Sequence, residues 1–321
     1  MKTFVLTSLA LLVLTAGLYA ESEEGGYAGS FLQLGLSARA TAMGQAYYAV
    51  SDDASSIFYN PGGAPHILRR EAGLSYRVMD LDRKLGYATV IFPVRNEATI
   101  GIGWIFAGVS DVVERDRLGG KGDVLDASEN AISLSFARKF SHYVSIGATG
   151  KLYIAKLANV TTNTVGFDLG TYLKFDREHG LPAGSPIDLL RFGFVAGNLG
   201  AKYIWTTGEY WAQYGESGDS RSDDFPLLIA GGASVLFLKE RLLFALDARK
   251  YRWHDARLYF GAEYVVAAAF VVRAGLDDMN PTLGGGIRHK LESFDLTFDY
   301  GYSSSRAEEN ADHIISIGLV F

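Results

Sequence analysis

The sequence predicts an all-β fold, a transmembrane antiparallel β-barrel of about fourteen strands. Three observations carry this expectation. The chain closes on an alternating apolar strand that runs to its last residue, Phe321. It opens on a secretory leader. Between the two, from Glu71 onward, apolar and polar residues alternate with period two in segment after segment, with no amphipathic helical pattern.

The closing segment runs from His313 to Phe321 and places Ile315, Ile317, Leu319 and Phe321 on one face, because side chains alternate along a strand. A soluble domain usually carries a frayed polar tail after its last strand, whereas here the terminus is the strand. The pattern resembles the C-terminal signal through which the barrel-assembly machinery recognises outer-membrane barrels, with Phe321 as its terminal aromatic. A core strand of a soluble sandwich alternates in the same way, so the ending alone leaves both readings open.

The other end separates them. Met1 to Ala20 combines Lys2, an apolar run from Phe4 to Leu14 and a small residue at Ala20, the layout of a cleavable signal peptide for Sec export. Leu18 stands where the signal peptidase prefers a smaller side chain. The apolar run is too short to span a bilayer. Glu21, Glu23 and Glu24 follow at once, as in a solvated mature N-terminus. The expected division is therefore a signal peptide at 1–20, an N-terminal segment at 21–70 and a barrel at 71–321, in the outer membrane of a Gram-negative-type bacterium. With no cysteine, the exported chain has neither a lipid-anchored thiol nor disulfides, so stability has to come from sheet hydrogen bonds and packing.

Composition agrees. Glycine (37 residues) and aromatics (13%) are abundant, proline is scarce (7 residues), and hydropathy averages near neutral, which suits strands with one face toward lipid and excludes a multi-span helical protein. A net charge of −6 argues against a nucleic-acid partner, which requires a basic stripe.

Strands are expected at 71–79, 84–94, 97–109, 127–139, 142–157, 162–176, 189–199, 226–237, 241–250, 256–266, 269–277, 281–290, 293–303 and 312–321. In the hairpin from Asn130 to Tyr153, Ile132, Leu134 and Phe136 alternate with Ser133, Ser135 and Ala137. An even strand count returns both barrel ends to the periplasm, where turns are short. Tight turns fall at Arg95-Asn96, Phe140-Ser141, Lys239-Glu240, Ala267-Ala268 and Leu291-Glu292, and long polar connections at 110–126, 200–225 and 304–311. The connection from Arg177 to Asp188 is long for a periplasmic one, a possible partner-facing loop.

Charges on these strands have to face the lumen, since Arg or Lys at the lipid midplane costs roughly 2–4 kcal/mol. Turn centring places Glu263 opposite Arg273 and Arg288 opposite Asp295. Such pairs either hold the sheet, at about 0.2–1 kcal/mol each, or serve transport. Trp205, Trp211 and Trp253 fall near strand ends or in outer connections, as aromatic girdles do, while Trp104 is mid-strand and reads as a packing residue.

The segment before the first strand does not alternate. It carries Phe31-Leu32-Gln33-Leu34-Gly35, Ala38-Arg39-Ala40 with Met43-Gly44, Asp52-Asp53-Ala54-Ser55 and Tyr59-Asn60-Pro61-Gly62. This ordered block resembles the PorV/PorQ family, within the FadL-like outer-membrane barrels. The resemblance implies fourteen strands and an N-terminal segment folded into the lumen as a plug. The residues suit that role: Gly35, Ala38, Ala40, Ala42 and Gly44 permit close packing, Arg39 can meet lumen carboxylates, and Asn60-Pro61-Gly62 is a strong turn. Phe31, Leu32, Leu34, Leu36, Arg39 and Met43 are the candidate ligand contacts, and Gly35, Gly44, Asp52, Asp53, Asn60 and Pro61 the plug motif. A purely structural plug remains the alternative.

No enzyme motif stands out. The six histidines are scattered without metal-binding spacing, and no cofactor is expected. Gly119-Gly120-Lys121-Gly122 lacks phosphate-loop spacing, and Gly284-Gly285-Gly286 reads as strand curvature or close approach of the plug. Asp52-Asp53 is either a cation site or, more commonly, a turn or cap. A hydrolase needs a serine, a histidine and an orienting group on one face, which the alternation does not supply. Two functions follow from the resemblance: a FadL-like conduit for hydrophobic small molecules, or a PorV-like accessory of type IX secretion that binds the C-terminal signals of secreted cargo.

Overall fold

The computed structural model describes residues 27–95, 97–115, 120–208, 211, 217–304 and 311–321. The signal peptide and Glu21 to Glu24 lie outside the described residues. Among the described residues, sixteen strands follow the N-terminal segment: β1 Glu71–Val78, β2 Arg83–Val94, β3 Ala98–Arg115, β4 Lys121–Lys139, β5 Val144–Leu157, β6 Val160–Asp176, β7 Ile187–Leu199, β8 Lys202–Thr206, β9 Ser220–Asp224, β10 Leu228–Phe237, β11 Leu242–Tyr251, β12 Arg257–Ala267, β13 Phe270–Asp277, β14 Asn280–Lys290, β15 Asp295–Ser303 and β16 Asp312–Val320. Fourteen of them form a closed antiparallel barrel, and β8 and β9 form a separate hairpin between β7 and β10. Closure satisfies every edge, which backbone in lipid requires. Among the described residues no helix is long and apolar enough to cross a membrane.

The barrel closes where the C-terminal strand predicts. β16 pairs with β1, Val320 opposite Glu71 and Ser316 opposite Ser75, and the Phe321 amide donates to the Arg70 carbonyl at 2.9 Å. Alternation sets the two faces. Outside, Leu74, Ile102, Leu134, Phe167, Phe260 and Ile317 are exposed on strands all around the wall. Inside, Ser75, Arg77, Thr149, Asp247, Glu263 and Arg273 are buried. The wall thus turns large apolar residues outward and many polar ones inward, the order lipid imposes, while Leu85, Ile91 and Ile105 pack inward into an apolar core.

The structure corrects the sequence reading in four places. Residues 110–126 are mostly an extension of β3 and β4 beyond their neighbours rather than a loop. The connection at 200–225 contains the β8–β9 hairpin. Arg288 faces Thr297, and Asp295 faces Lys290, so the expected Arg288–Asp295 pair does not form. The turn there occupies four residues, closed by Leu291 N–H donating to Phe294 O at 2.9 Å, and the two extra residues shift the register by two positions. Trp205 lies on β8 against Tyr203, with ring centroids 5.6 Å apart, and not in a girdle around the wall. Glu263 does face Arg273 as expected.

The long 177–188 connection folds back on its own polar groups. Asp176 accepts from the amide of His179 at 2.8 Å, Arg177 pairs with Asp188, and Asp188 accepts from the Glu240 amide at 2.9 Å.

Candidate functional site

Residues 27 to 66 run through the lumen from the long-loop end to the short-turn end. Tyr27 stacks on Trp253 in the β11–β12 connection, with ring centroids 5.3 Å apart and planes 15° from parallel. A 3-10 turn, Ser30–Gln33, follows. Ser37 then caps the short helix Ala38–Ala42, its hydroxyl accepting from Ala40 N–H at 3.0 Å, as serine does at an N-cap. Gly44 ends this helix at φ 59°, where a side chain is strained and a Cβ would collide with the backbone of Phe260 and Leu276. On the wall, Gly261 and Gly275 leave the matching space against Met43 and Gly44, and Gly284 leaves space against Ala42. Small residues in the segment meet glycines in the wall, so backbone approaches backbone. The expected role of the glycine run at 284–286 as close approach is met at Gly284, while Gly286 makes room for Asp299 and Arg273.

Polar side chains of the wall take up the backbone groups that this irregular segment leaves open. Asp247 accepts from the amides of Tyr47 and Tyr48 at 2.6 and 2.8 Å. Arg249 donates to Gln45 and lies over the rings of Tyr48 and Tyr259, at 4.9 and 4.0 Å from their centroids. Asn60 donates to Tyr48 O and Thr171 O at 2.9 and 3.1 Å, and its own Oδ1 accepts from Gly62 N–H at 3.0 Å, so the Asn-Pro-Gly turn is bolted to the wall. Pro61 opens the last 3-10 helix, Pro61–His66. Tyr59 joins the two halves of the plug, its hydroxyl accepting from the amides of Leu36 and Ser37 at 3.0 and 3.2 Å.

Asp52 and Asp53 are both engaged by protein groups. Asp53 accepts from the amide and hydroxyl of Ser55, the N-cap residue of the helix Ser56–Tyr59, at 2.9 and 2.6 Å, and from the Tyr47 hydroxyl. Asp52 belongs to a chain of alternating charges that crosses the lumen. Arg191 on β7 meets Asp52 at 3.0 Å, Asp52 meets Arg39 at 2.6 Å, Arg39 meets Glu263 on β12 at 2.8 Å, Glu263 meets Arg273 on β13 at 2.6 Å, and Arg273 meets Asp299 on β15 at 2.6 Å. Burial raises the Asp52 carboxyl, but the guanidiniums of Arg39 and Arg191 outweigh it and hold it below the ordinary carboxylate range. Arg288, unpaired with Asp295, approaches Glu263 at 3.8 Å.

The plug leaves a cavity on each side. The outer one, about 560 Å³, lies among the long-loop ends of the strands, and Phe31 and Leu34 of the plug line it beside Met79, Leu85, Val109 and Trp205. The inner one, about 440 Å³, lies among the short-turn ends and is lined by charges, including Arg39, Asp52, Glu263, Arg273, Arg288 and Asp299. Of the six candidate ligand contacts, Phe31 and Leu34 reach the outer cavity and Arg39 the inner one. Leu36 and Met43 are packed in the core and line neither, and Leu32 packs partly buried against the same core. A side chain at Gly35 would collide first with the Thr41 hydroxyl and then with the Arg77 guanidinium, so its absence lets the plug pack on itself and against β1.

Sequence reading missed Asp247, Arg249 and Trp205 as contributors to this interior. Asp247 and Arg249, two apart on the inward face of β11 beside Leu243, Ala245 and Tyr251, were the available signal. Trp205 had none, because it comes from a hairpin outside the barrel order. The structure also brings His66 Nε2 within 3.2 Å of Ser145 Oγ. That hydroxyl donates to Gly62 O at 2.6 Å, so the contact secures the end of the plug.

No family model matches the chain, and no curated protein matches it in sequence. Solved structures match it in fold. The CymD monoaromatic hydrocarbon channel superposes with a TM-score of 0.58 at 14% identity, covering 89% of this chain and 96% of that one. The Ralstonia pickettii toluene transporter TbuX gives 0.56 at 11% identity, covering 89% and 97%. The Pseudomonas putida toluene transporter TodX gives 0.53 at 10% identity, covering 89% and 96%. At these identities the likeness is one of architecture, and it spans nearly the whole of both molecules.

Proposed function

We propose that the chain, exported through Sec, resides in the outer membrane of a Gram-negative-type bacterium and is a FadL-like passive conduit for hydrophobic small molecules. The observation that carries this reading is the outer cavity. It is large enough for a small ligand, its apolar lining includes Phe31 and Leu34, and its floor is a plug that separates it from a charged chamber below. An apolar molecule arriving from outside is held in the outer cavity and passes when the plug rearranges. The fold shared with toluene transporters and monoaromatic hydrocarbon channels supports the same class of cargo.

Uptake of a radiolabelled alkylbenzene into proteoliposomes, with the full chain and with Tyr27 to Gly35 deleted, tests it. Uptake above protein-free liposomes is expected, and faster uptake for the deletion. Identical rates for all three samples overturn the reading.

The PorV/PorQ-like block from Phe31 to Gly62 supports a second reading, a secretion accessory that binds cargo C-terminal signals. A deletion strain with an unchanged set of secreted proteins disposes of it.

A further inference from the structure

The outer cavity is not uniformly apolar, and its polar part indicates which apolar molecules it favours; this inference rests on the reading of that cavity as a ligand site. Arg77 of β1 and Asp312 of β16 line the cavity from the two strands that meet at the seam, 4% and 6% exposed. They are joined through Nη1 and Oδ2 at 2.8 Å, so their charges cancel. Arg77 Nε and Asp312 Oδ1 nevertheless have no hydrogen-bond partner, and neither has Nε2 of Gln33, which lines the same cavity from the plug. Buried polar atoms are nearly always paired; these three are covered in the cavity wall, and a small turn of the side chains that line it brings them to a bound molecule.

The set comprises two free donors and one free acceptor on a neutral pole. A plain hydrocarbon leaves all three atoms unpaired. A carboxylate offers no donor to Asp312 and would be set against both Asp312 and Asp277, which also lines the cavity. A hydroxyl offers what is missing, one O–H donor and acceptor lone pairs, without charge. We infer that the outer cavity selects a neutral hydroxylated apolar molecule, a phenol or an alcohol with an apolar body. Its hydroxyl donates to Asp312 Oδ1 and accepts from Arg77 Nε or Gln33 Nε2, while its body packs among Leu34, Leu85 and Trp205.

Trp205 provides the readout. Quenching of its emission in the detergent-solubilised barrel, with Trp205→Phe to subtract the remaining tryptophans, gives affinities for 4-hexylphenol, hexylbenzene and 4-hexylbenzoate. The phenol is expected to bind at least about tenfold more tightly than hexylbenzene, the yield of one hydrogen bond to a charged group. Gln33→Leu should cut that ratio several-fold and leave hexylbenzene unchanged, and Arg77→Met with Asp312→Leu should bring it close to one. Partition into micelles is common to parent and variants, so the change in ratio reports the site. If the double variant does not fold, Gln33→Leu still decides. Hexylbenzene binding as tightly as the phenol overturns the inference but leaves the conduit standing. Tightest binding of the benzoate, held instead by Lys84 and Lys156 of the same lining, also overturns it. Binding of none of the three removes the ligand site and the inference together.

Discussion

Arg39 and Glu263 are joined fork to fork: Nε donates to Oε2 at 2.8 Å and Nη2 to Oε1 at 3.0 Å, across 224 residues of sequence. Two parallel bonds fix the orientation of the helix Ala38–Ala42 against β12 as well as its distance. Removing Arg39 leaves Glu263 held by Arg273 alone and Asp52 by Arg191 alone, so the loss falls below about 3–5 kcal/mol, that of a buried charge left with no partner. Arg39→Gln should therefore loosen the plug from the wall. Since the chain contains no cysteine, Ala54→Cys at the inner cavity can be labelled cleanly with a maleimide, and labelling should accelerate at least about tenfold in the Arg39→Gln background. Arg39→Lys should restore little, because an ammonium cannot reproduce the planar fork.

Gly44 tests the close approach of plug and wall. Gly44→Ala places a methyl at φ 59° into the backbone of Phe260 and Leu276 and should cost about 2–3 kcal/mol. Gly208→Ala, with nothing within 4 Å of the added carbon, should stay within about 0.5 kcal/mol of the parent. Urea midpoints of the micelle-refolded proteins compare the two.

Leu34→Trp should fill the outer cavity while leaving the fold intact, since Leu34 is 36% exposed toward that space. Calorimetric affinity for hexylbenzene is expected to fall at least about tenfold with little change in the urea midpoint. An unchanged affinity would place the ligand elsewhere.

His66 predicts the sign of a pH dependence. Burial, reinforced by Lys139 and Lys174, pushes its imidazole down from 6.5 to about 3, so it is neutral in the folded protein while the unfolded chain binds a proton below about 6.5. The unfolded state then holds more protons, and stability falls as pH drops from about 6.5 toward 3, by up to about 3 kcal/mol from this residue at pH 4. His66→Gln should flatten that part of the profile. Urea midpoints at pH 7, 5.5 and 4 measure it.

The wall was legible because its physics is local. Period-two alternation marks a strand wherever one side meets lipid, and each of the fourteen barrel strands overlaps a segment expected from the sequence. The Glu263–Arg273 register was legible for the same reason, once the turn was centred on Ala268, and a register shift between Val265 and Ala267 keeps it there. Arg288 and Asp295 failed because register passes through the turn, and nothing in Leu291-Glu292-Ser293-Phe294 distinguishes a four-residue turn from a two-residue one without the closing Leu291–Phe294 hydrogen bond. The interior was legible only as composition. Small residues from Gly35 to Gly44 announced tight packing, but which wall glycines they would meet depends on barrel closure. Leu36 and Met43 looked like Phe31 and Leu34 in sequence, and only the path of the chain through the lumen sends one pair into the core and the other into the cavity.

The plug also touches the seam. Ala38 N–H donates to Ser316 Oγ at 2.8 Å, and Ser316 Oγ donates in turn to Ser75 Oγ at 2.8 Å, so one hydroxyl joins the N-terminal segment to both the last strand and the first. A barrel that closed on an empty lumen would lack this tie and would leave Glu263, Asp247 and Arg191 facing a void. The seat of the plug and the seam of the wall therefore share one fastening, and a change at Ser316 is felt by both at once.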